Sequence, residues 1–261
     1  MTIDIGFANI LMYLLVWVRL AGMILFNPLL SRRNIPVMAR NGLVLFLTIL
    51  IAPMQGADVA AAIYQMTGLG YALALFGEMF IGLCYGFIFQ IFYYFLFFVG
   101  DLMDTDMGIS MAKNFDPATN IQTSFSSSLL TLMFTLFIFT SNSHLVLIRL
   151  FASSFDNITV GAFSLNTTIV NFILELFVTA FNLVLRLAAP IMVAEFVLQG
   201  AMGILMKFIP QITVFVINFQ LRILLGILML LLFVPYFGQF MDTYIDALFG
   251  SLLNATKALG G

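Results

Sequence analysis

"GLGYALALFGEMFIGLCYGFIFQIFYYFLFFV", residues 68–99, is an unbroken apolar run with a single charged residue, Glu78. A helix needs roughly 20 apolar residues to cross the hydrocarbon core of a bilayer, so this run is longer than one untilted span. Because its apolar residues are continuous and do not alternate with polar ones, the run predicts a long helix and not a strand of a membrane barrel.

The rest of the chain has the same character. Its residues are 62% hydrophobic and 8% charged, whereas soluble domains are about half apolar and a quarter charged. We therefore predict an all-α integral membrane protein with about six long hydrophobic helices or helical hairpins, forming one domain over residues 1–261. The other apolar runs occupy residues 7–30, 41–53, 125–140, 167–198 and 212–237.

Two of the predicted segments are unusual. The run at 41–53 is short for a membrane span, so we expect it to continue into a partner or to stay half-inserted. The last segment, residues 241–261, is predicted to be amphipathic. One face would carry Tyr244, Leu248, Leu252 and Leu253, and another would carry Asp242 and Asp246.

Composition also excludes several kinds of function. A net charge of −2 gives no reason to expect nucleic acid as a partner. One cysteine, Cys84, and one histidine, His144, cannot form a disulfide or a Cys/His metal cluster. Nucleotide-binding, zinc-protease and serine-hydrolase motifs are missing from the sequence. We therefore predict a protein that is not an enzyme and has no cofactor.

The basic residues indicate an orientation. Arg32, Arg33 and Arg40 form the densest basic cluster in the chain. The positive-inside rule predicts that this cluster lies on the cytoplasmic side, with the N-terminus outside. Its arginines are expected to contact anionic lipid headgroups or a partner protein, and the sequence does not decide between the two.

Several ionisable residues lie inside apolar runs, where a charge facing lipid is costly. One explanation is an ion pair or polar contact that fixes helix or subunit packing. The other is a substrate or proton path, as in a self-contained secondary transporter that uses Glu78, Glu195 and Arg186. Gly82 and Gly86 form a GxxxG motif that would let another helix approach closely. The intramembrane charges are Arg19, Glu78, Glu175, Arg186, Glu195 and Arg222.

A polar segment, "GDLMDTDMGISMAKNFDPAT", follows the opening run at residues 100–119. Its aspartates, Asp101, Asp104 and Asp106, would line an entrance or cap and solvate the end of the helix, and we prefer the second.

Five stretches of the sequence, taken in their order along the chain, resemble the FliR family of flagellar export-gate proteins and its counterparts in virulence type III secretion. Two of them contain the patterns P-x-x-S-R-x-x-I-P-x-x-x-R at residues 28–40 and G-x-S-x-A-x-x-x-D-P at residues 108–117. The ordered set covers nearly the whole chain. Its stretches are residues 19–53, 77–90, 100–117, 141–155 and 210–230.

The resemblance implies a FliP-like plus FliQ-like fusion, packed in the helical ring of an export gate. The gate would lie in the bacterial inner membrane, within the flagellar basal body, and would pass unfolded export substrates. FliP and FliQ homologues would be its assembly partners, with FlhB at the cytoplasmic mouth, FlhA around the base and lipids beside it. Arg32, Arg33 or Arg40 would contact lipid or FlhB. Helices packed in a ring need not obey bilayer rules, which offers an account of the intramembrane charges.

The family also implies a plug loop inside the pore, which here corresponds to about residues 108–125. Methionine suits a plug because it is flexible and apolar, and an apolar constriction stops ions by dewetting. We expect Ile109, Met111 and Phe115 to form the seal. Gly108 would act as a hinge, and Pro117 would limit how far the loop folds into helix.

Met103 and Met107 would either extend this seal or simply pack against a neighbouring helix, and the sequence leaves both possibilities open.

The sequence leaves three functions to compare. The favoured one is a flagellar export-gate subunit, with a virulence-secretion subunit as its near variant. The alternatives are the secondary transporter and a passive scaffold with no residue that lines a pore.

Overall fold

The computed structural model describes residues 2–31, 35–110, 124–162, 168–208 and 214–260. Every regular element within these ranges is a helix, which confirms the all-α prediction. The elements are α1 (Thr2–Leu25), α2 (Val37–Ile51), a 3₁₀ helix (Ala52–Met54), α3 (Ala57–Tyr64), α4 (Gly68–Asp106), α5 (Phe125–Thr140), α6 (Ser143–Asn157), α7 (Thr168–Phe208) and α8 (Val214–Gly260).

Most of these helices are long and apolar enough to cross a membrane. Five such segments occur among the described residues, or up to six if α5 and α6 are counted as one broken span. Residues 68–99 and the described part of the run at 167–198 lie in single helices of 39 and 41 residues. This agrees with the prediction that they exceed one span.

Helix α2 is longer than its apolar run suggested. It begins at Val37, directly after Pro36, whose extended backbone precedes the first turn. At its other end the chain continues through the 3₁₀ helix Ala52–Met54, and the whole apolar segment reaches 18 residues. The short run at 41–53 is therefore part of a segment long enough to span.

The C-terminal segment is not a separate helix, because α8 runs for 47 residues to Gly260. Tyr244, Leu248 and Leu252 are fully buried, whereas Leu253 is 47% exposed. The prediction that Leu253 shares their face was wrong. It follows Leu252 by one residue, which is a rotation of about 100° around the helix.

The chain divides into two compact units. The first contains Met1–Phe92, Ser141–Phe177 and Ala247–Gly261, and the second contains Tyr93–Thr140 and Val178–Asp246. Helices α4, α7 and α8 contribute residues to both units, and the single domain predicted from sequence stays a prediction.

In the first unit, α1 crosses α4 at a contact between glycines. A side-chain carbon at Gly82 would collide with the backbone of Arg19 and lie 2.9 Å from the Cα of Gly22. A side chain at Gly86 would lie 2.7 Å from Phe26. Both residues of the GxxxG motif therefore face α1, and their small size allows the two backbones to touch. This close crossing places Arg19 of α1 directly beside α4.

In the second unit, polar groups accept hydrogen bonds from the first backbone N–H groups of α5. The Oγ of Ser124 accepts a hydrogen bond from the Ser127 N–H at 3.2 Å, as an N-cap residue does. The Oδ1 of Asp104 accepts another from the Ser126 N–H at 3.1 Å. Asp104 is fully buried, so the prediction that it solvates the end of its own helix was wrong. Its negative charge lies at the N-terminus of α5, where a helix favours anions.

Candidate functional site

Helix α4 ends in a tight turn at Gly108, the predicted hinge. The Met107 N–H donates to the Met103 carbonyl at 2.9 Å, and the Gly108 N–H donates to the Thr105 carbonyl at 3.2 Å. Gly108 has a φ of +74°, in the left-handed region that glycine enters without strain. This geometry is typical of the residue just beyond a helix C-terminus.

The residues on either side of this turn face apolar surroundings. Met103 and Met107 are fully buried within the chain, and Met107 packs directly against Gly226 of α8. Ile109 is half-buried and lines an open apolar cavity of about 520 Å³. The other lining residues come from the start of α5 and from α8: Phe125, Leu129, Ile223, Ile227, Leu230, Leu231 and Val234.

Several predicted site residues are not described by the structure. Met111, Phe115 and Pro117 of the predicted plug lie outside the described residues. Of the predicted basic cluster, only Arg40 is described, and it is half-buried in the first turn of α2. Arg32 and Arg33 also lie outside the described residues.

The first unit contains a charge pair with complete hydrogen bonding, which we call the bonded cluster: Arg19 of α1 and Glu78 of α4. The Nε of Arg19 donates to one carboxylate oxygen of Glu78, and its second terminal nitrogen donates to the other at 3.0 Å. Both residues have no exposed surface. This two-point geometry is the strongest form of an arginine–carboxylate contact.

The bonded cluster also holds the end of α6. One terminal nitrogen of Arg19 donates to the Ser154 carbonyl at 3.0 Å and to the Ile158 carbonyl at 3.1 Å. A cation at this position interacts favourably with the C-terminal end of a helix. The Gly161 N–H donates to Glu78 at 2.8 Å. Arg19 also lies over the Phe155 ring, 4.3 Å from its centroid. Together, the pair joins α1, α4 and the turn after α6.

The second unit contains a different arrangement, which we call the open cluster: Asp106 of α4, Glu195 of α7 and Arg222 of α8. Asp106 and Glu195 both lie within electrostatic range of Arg222, and Glu195 lies within range of Asp106. Glu195 is only 1% exposed, yet neither of its carboxylate oxygens has a hydrogen-bond partner among the described residues. Within the same described ranges, the Oδ2 of Asp106 and the Nε of Arg222 also have none.

The other intramembrane charges are at the surface of the chain. Arg186 and Glu175 are both exposed residues of α7. Two of the three residues assigned to a secondary transporter are therefore poorly placed for that role. The carboxylate of Glu78 already accepts hydrogen bonds from Arg19 and Gly161, and Arg186 is exposed. These placements lend no support to a transport path through those two residues.

The sequence did not associate Asp106 with Glu195 and Arg222. Asp106 was grouped with Asp101 and Asp104, its neighbours in sequence. Residues two positions apart on a helix lie about 200° apart around its axis, so Asp104 and Asp106 point to different neighbours. A helical projection of residues 100–106 would have separated them.

Comparison with known proteins identifies the family. The model of "Bacterial export proteins, family 1" matches residues 10–248. The chain is 27% identical over 241 residues to the flagellar biosynthetic protein FliR of Escherichia coli K12, covering 92% of this chain and 91% of that protein. It is 28% identical over 222 residues to FliR of Bacillus subtilis 168, covering 84% of each chain.

A relative named for protein translocation is similar to the same degree. The Yop proteins translocation protein T of Yersinia pestis is 27% identical over 227 residues, covering 86% of each chain. The family match extends over nearly the whole length and includes α4, the turn at Gly108 and both charged clusters. On these grounds the chain belongs to family 1 of the bacterial export proteins.

Proposed function

We propose that this chain is a non-enzymatic subunit of a flagellar type III export gate in the bacterial inner membrane. It would help to form and plug the pore through which unfolded flagellar proteins pass. Membership of an export family along residues 10–248 carries the proposal, together with two relatives named for flagellar biosynthesis. The Yersinia relative makes a virulence-secretion gate the second candidate.

The apolar surface of α8 supports a function inside an assembly. Only 11% of the most apolar window of this helix is buried within the chain. Leu224, Leu231 and Leu232 are each about two-thirds exposed. Lipid or other apolar subunits must cover such a surface. We propose that FliP and FliQ homologues cover part of it, with FlhB and FlhA at the cytoplasmic side.

We place the moving part of the gate at the end of α4. The left-handed turn at Gly108 ends the helix, and Ile109 follows it against an apolar cavity. We propose that Gly108 is the hinge and that Ile109, Met111 and Phe115 form the seal, with Pro117 limiting helix extension. Met103 and Met107 would extend the seal on the preceding helix, where Met107 packs against Gly226 of α8.

Native mass spectrometry of the affinity-tagged chain, extracted from its own host in mild detergent, tests the assembly. We expect one defined complex that contains several copies of two other small hydrophobic proteins. Recovery as a lone monomer or homodimer across several gentle detergents would overturn the proposal. Export of flagellin or of virulence effectors, measured in a deletion strain carrying this chain, would separate the two secretion branches.

An ion-leak measurement tests the seal. We expect the double substitution Met111→Gly and Phe115→Gly to make the closed gate conduct ions, because the apolar constriction is lost. A matched control replaces one exposed methionine and one exposed phenylalanine elsewhere, Met54→Gly and Phe208→Gly. Conductance equal to wild type in the first variant, or a leak of the same size in the control, would remove the plug assignment.

A further inference from the structure

The carboxyl group of Glu195 lies in an environment that does not suit an ionised carboxylate. It is 1% exposed, and both of its oxygens lack a hydrogen-bond partner in the part of the chain that the structure describes. An ionised carboxylate loses its hydration on burial, and without hydrogen bonds nothing replaces it. Such a group usually takes up a proton and becomes neutral.

The neighbouring charges lead to the same conclusion. Arg222 on α8 and Asp106 at the end of α4 are the charged groups that act on Glu195. Among the described residues, Arg222 is the one cation that acts on the two acids, so one negative charge is left without compensation when both acids are ionised. One proton on the cluster makes it neutral, and Glu195, the more deeply buried of the two acids, is its natural carrier.

We propose that Glu195 is a proton-binding site: its carboxyl group carries a proton in the state described here and exchanges that proton with solvent water, while Arg222 and Asp106 are the charged groups that act on it. On binding, the proton forms an O–H bond on one carboxyl oxygen. On release, the carboxylate that remains is stabilised by Arg222. This proposal stands on the open cluster alone and does not require the export-gate function.

A metal ion fits this site poorly. The positive charge of Arg222 repels a second cation, and a metal needs several oxygen ligands at once. No group of three acidic, histidine or cysteine side chains that could hold a metal occurs among the residues that the structure places. A proton requires only one oxygen and no fixed coordination shell.

Arg222 lies close to the turn at Gly108 that ends α4. The β-carbon of Arg222 lies 4.0 Å from where a side-chain carbon on Gly108 would be, and the Phe219 ring lies 3.6 Å from the same point. The backbone of α8 at Arg222 therefore lies directly beside the turn that ends α4. Asp106, the other acid of the cluster, lies only two residues before that turn.

Infrared difference spectroscopy of the full chain in its purified native assembly tests the proposal. The wild type should show the carbonyl stretch of a protonated carboxyl group, which shifts in D₂O and disappears reversibly as the pH is raised. Glu195→Gln should lose this band. Glu175→Gln, which changes an exposed glutamate of the same helix, should keep it.

Three results would overturn the assignment. The first is a wild type without such a band over the pH range in which the assembly stays intact. The second is a band unchanged in Glu195→Gln. The third is a band that sodium removes at constant pH, which would make the site a metal-cation site. If Glu195→Gln does not assemble, Arg222→Met replaces it. The pH at which the band disappears should then differ from wild type, because a charge that acts on the carboxyl group is gone, and an unchanged profile would contradict the proposal.

Discussion

The bonded cluster and the open cluster place charges in apolar helices in two opposite ways. In the first, Arg19 donates four hydrogen bonds, two to Glu78 and two to backbone carbonyls, and it also lies over the Phe155 ring. In the second, both oxygens of Glu195 have no hydrogen-bond partner within the described ranges. One cluster is satisfied from within its own unit, and the other keeps unused bonding capacity.

The difference separates a structural role from a functional one. Buried polar groups in proteins are nearly always hydrogen-bonded, so each exception calls for an explanation. The bonded cluster connects three elements, and its loss should destabilise the fold. We expect the open cluster to contribute little to stability and, under our proposal, to exchange a proton.

Arg19→Met should give the largest loss of stability. The substitution leaves the Glu78 carboxylate buried without its cation, which costs about 3–5 kcal/mol. We expect a strongly reduced steady-state level of the tagged chain and a lower thermal unfolding midpoint in mild detergent. Arg186→Met, at an exposed position of α7, is the control and should leave both unchanged.

The double variant Arg19→Met with Glu78→Leu sharpens the same test. Removing both charges should recover part of the stability, because no uncompensated charge remains. Failure to recover any of it would mean that the bonds to Ser154 and Ile158, and not the ion pair, hold the end of α6.

Gly82→Val should come next. Its side chain would collide with the backbone of α1 at Arg19, which must shift the crossing that positions the bonded cluster. Overpacking of this kind costs about 1–3 kcal/mol. The thermal unfolding midpoint of the purified assembly measures it. Gly203→Val, a helical glycine with open space around it, is the matched control, and an equal loss there would show that only helix propensity is at work.

Gly108→Ala should have a smaller effect on stability and a visible effect on export. An alanine at a φ of +74° is strained by about 1–2 kcal/mol. Space is not limiting, because the nearest side chain, Phe219, would be 3.6 Å away. We expect the Gly108→Ala variant to assemble normally but to secrete differently, as measured by swimming motility and by an export assay. Wild-type export at normal protein levels would argue against a hinge at this residue.

Glu195→Gln should have the smallest effect on stability. Glutamine has nearly the shape of a protonated glutamic acid, so the free energy of unfolding at neutral pH should stay within about 1 kcal/mol of wild type. Differential scanning calorimetry of the purified assembly measures the difference in stability. A large loss would mean that an ionised Glu195 holds the second unit together.

The sequence predicted the helices well, because continuous apolar runs have one stable form in a membrane. It located the charges but could not pair them, since Arg19 and Glu78 are 59 residues apart and only the helix crossing brings them together. Asp104 was expected at a solvated helix end, yet it lies beneath the start of α5. Helix ends were misjudged where a helix extends beyond its apolar run: α2 begins at Val37, before the run at 41–53, and α8 continues to Gly260, after the run at 212–237.

The contrast between the two clusters is tested most directly by a matched pair of substitutions, Glu78→Gln and Glu195→Gln, in the same purified assembly. Each removes one buried carboxylate and changes almost no volume. We predict that Glu78→Gln lowers the thermal unfolding midpoint strongly, because Arg19 loses its counter-charge, and that Glu195→Gln leaves it close to wild type. Equal losses in the two variants would contradict the division between a bonded and an open cluster.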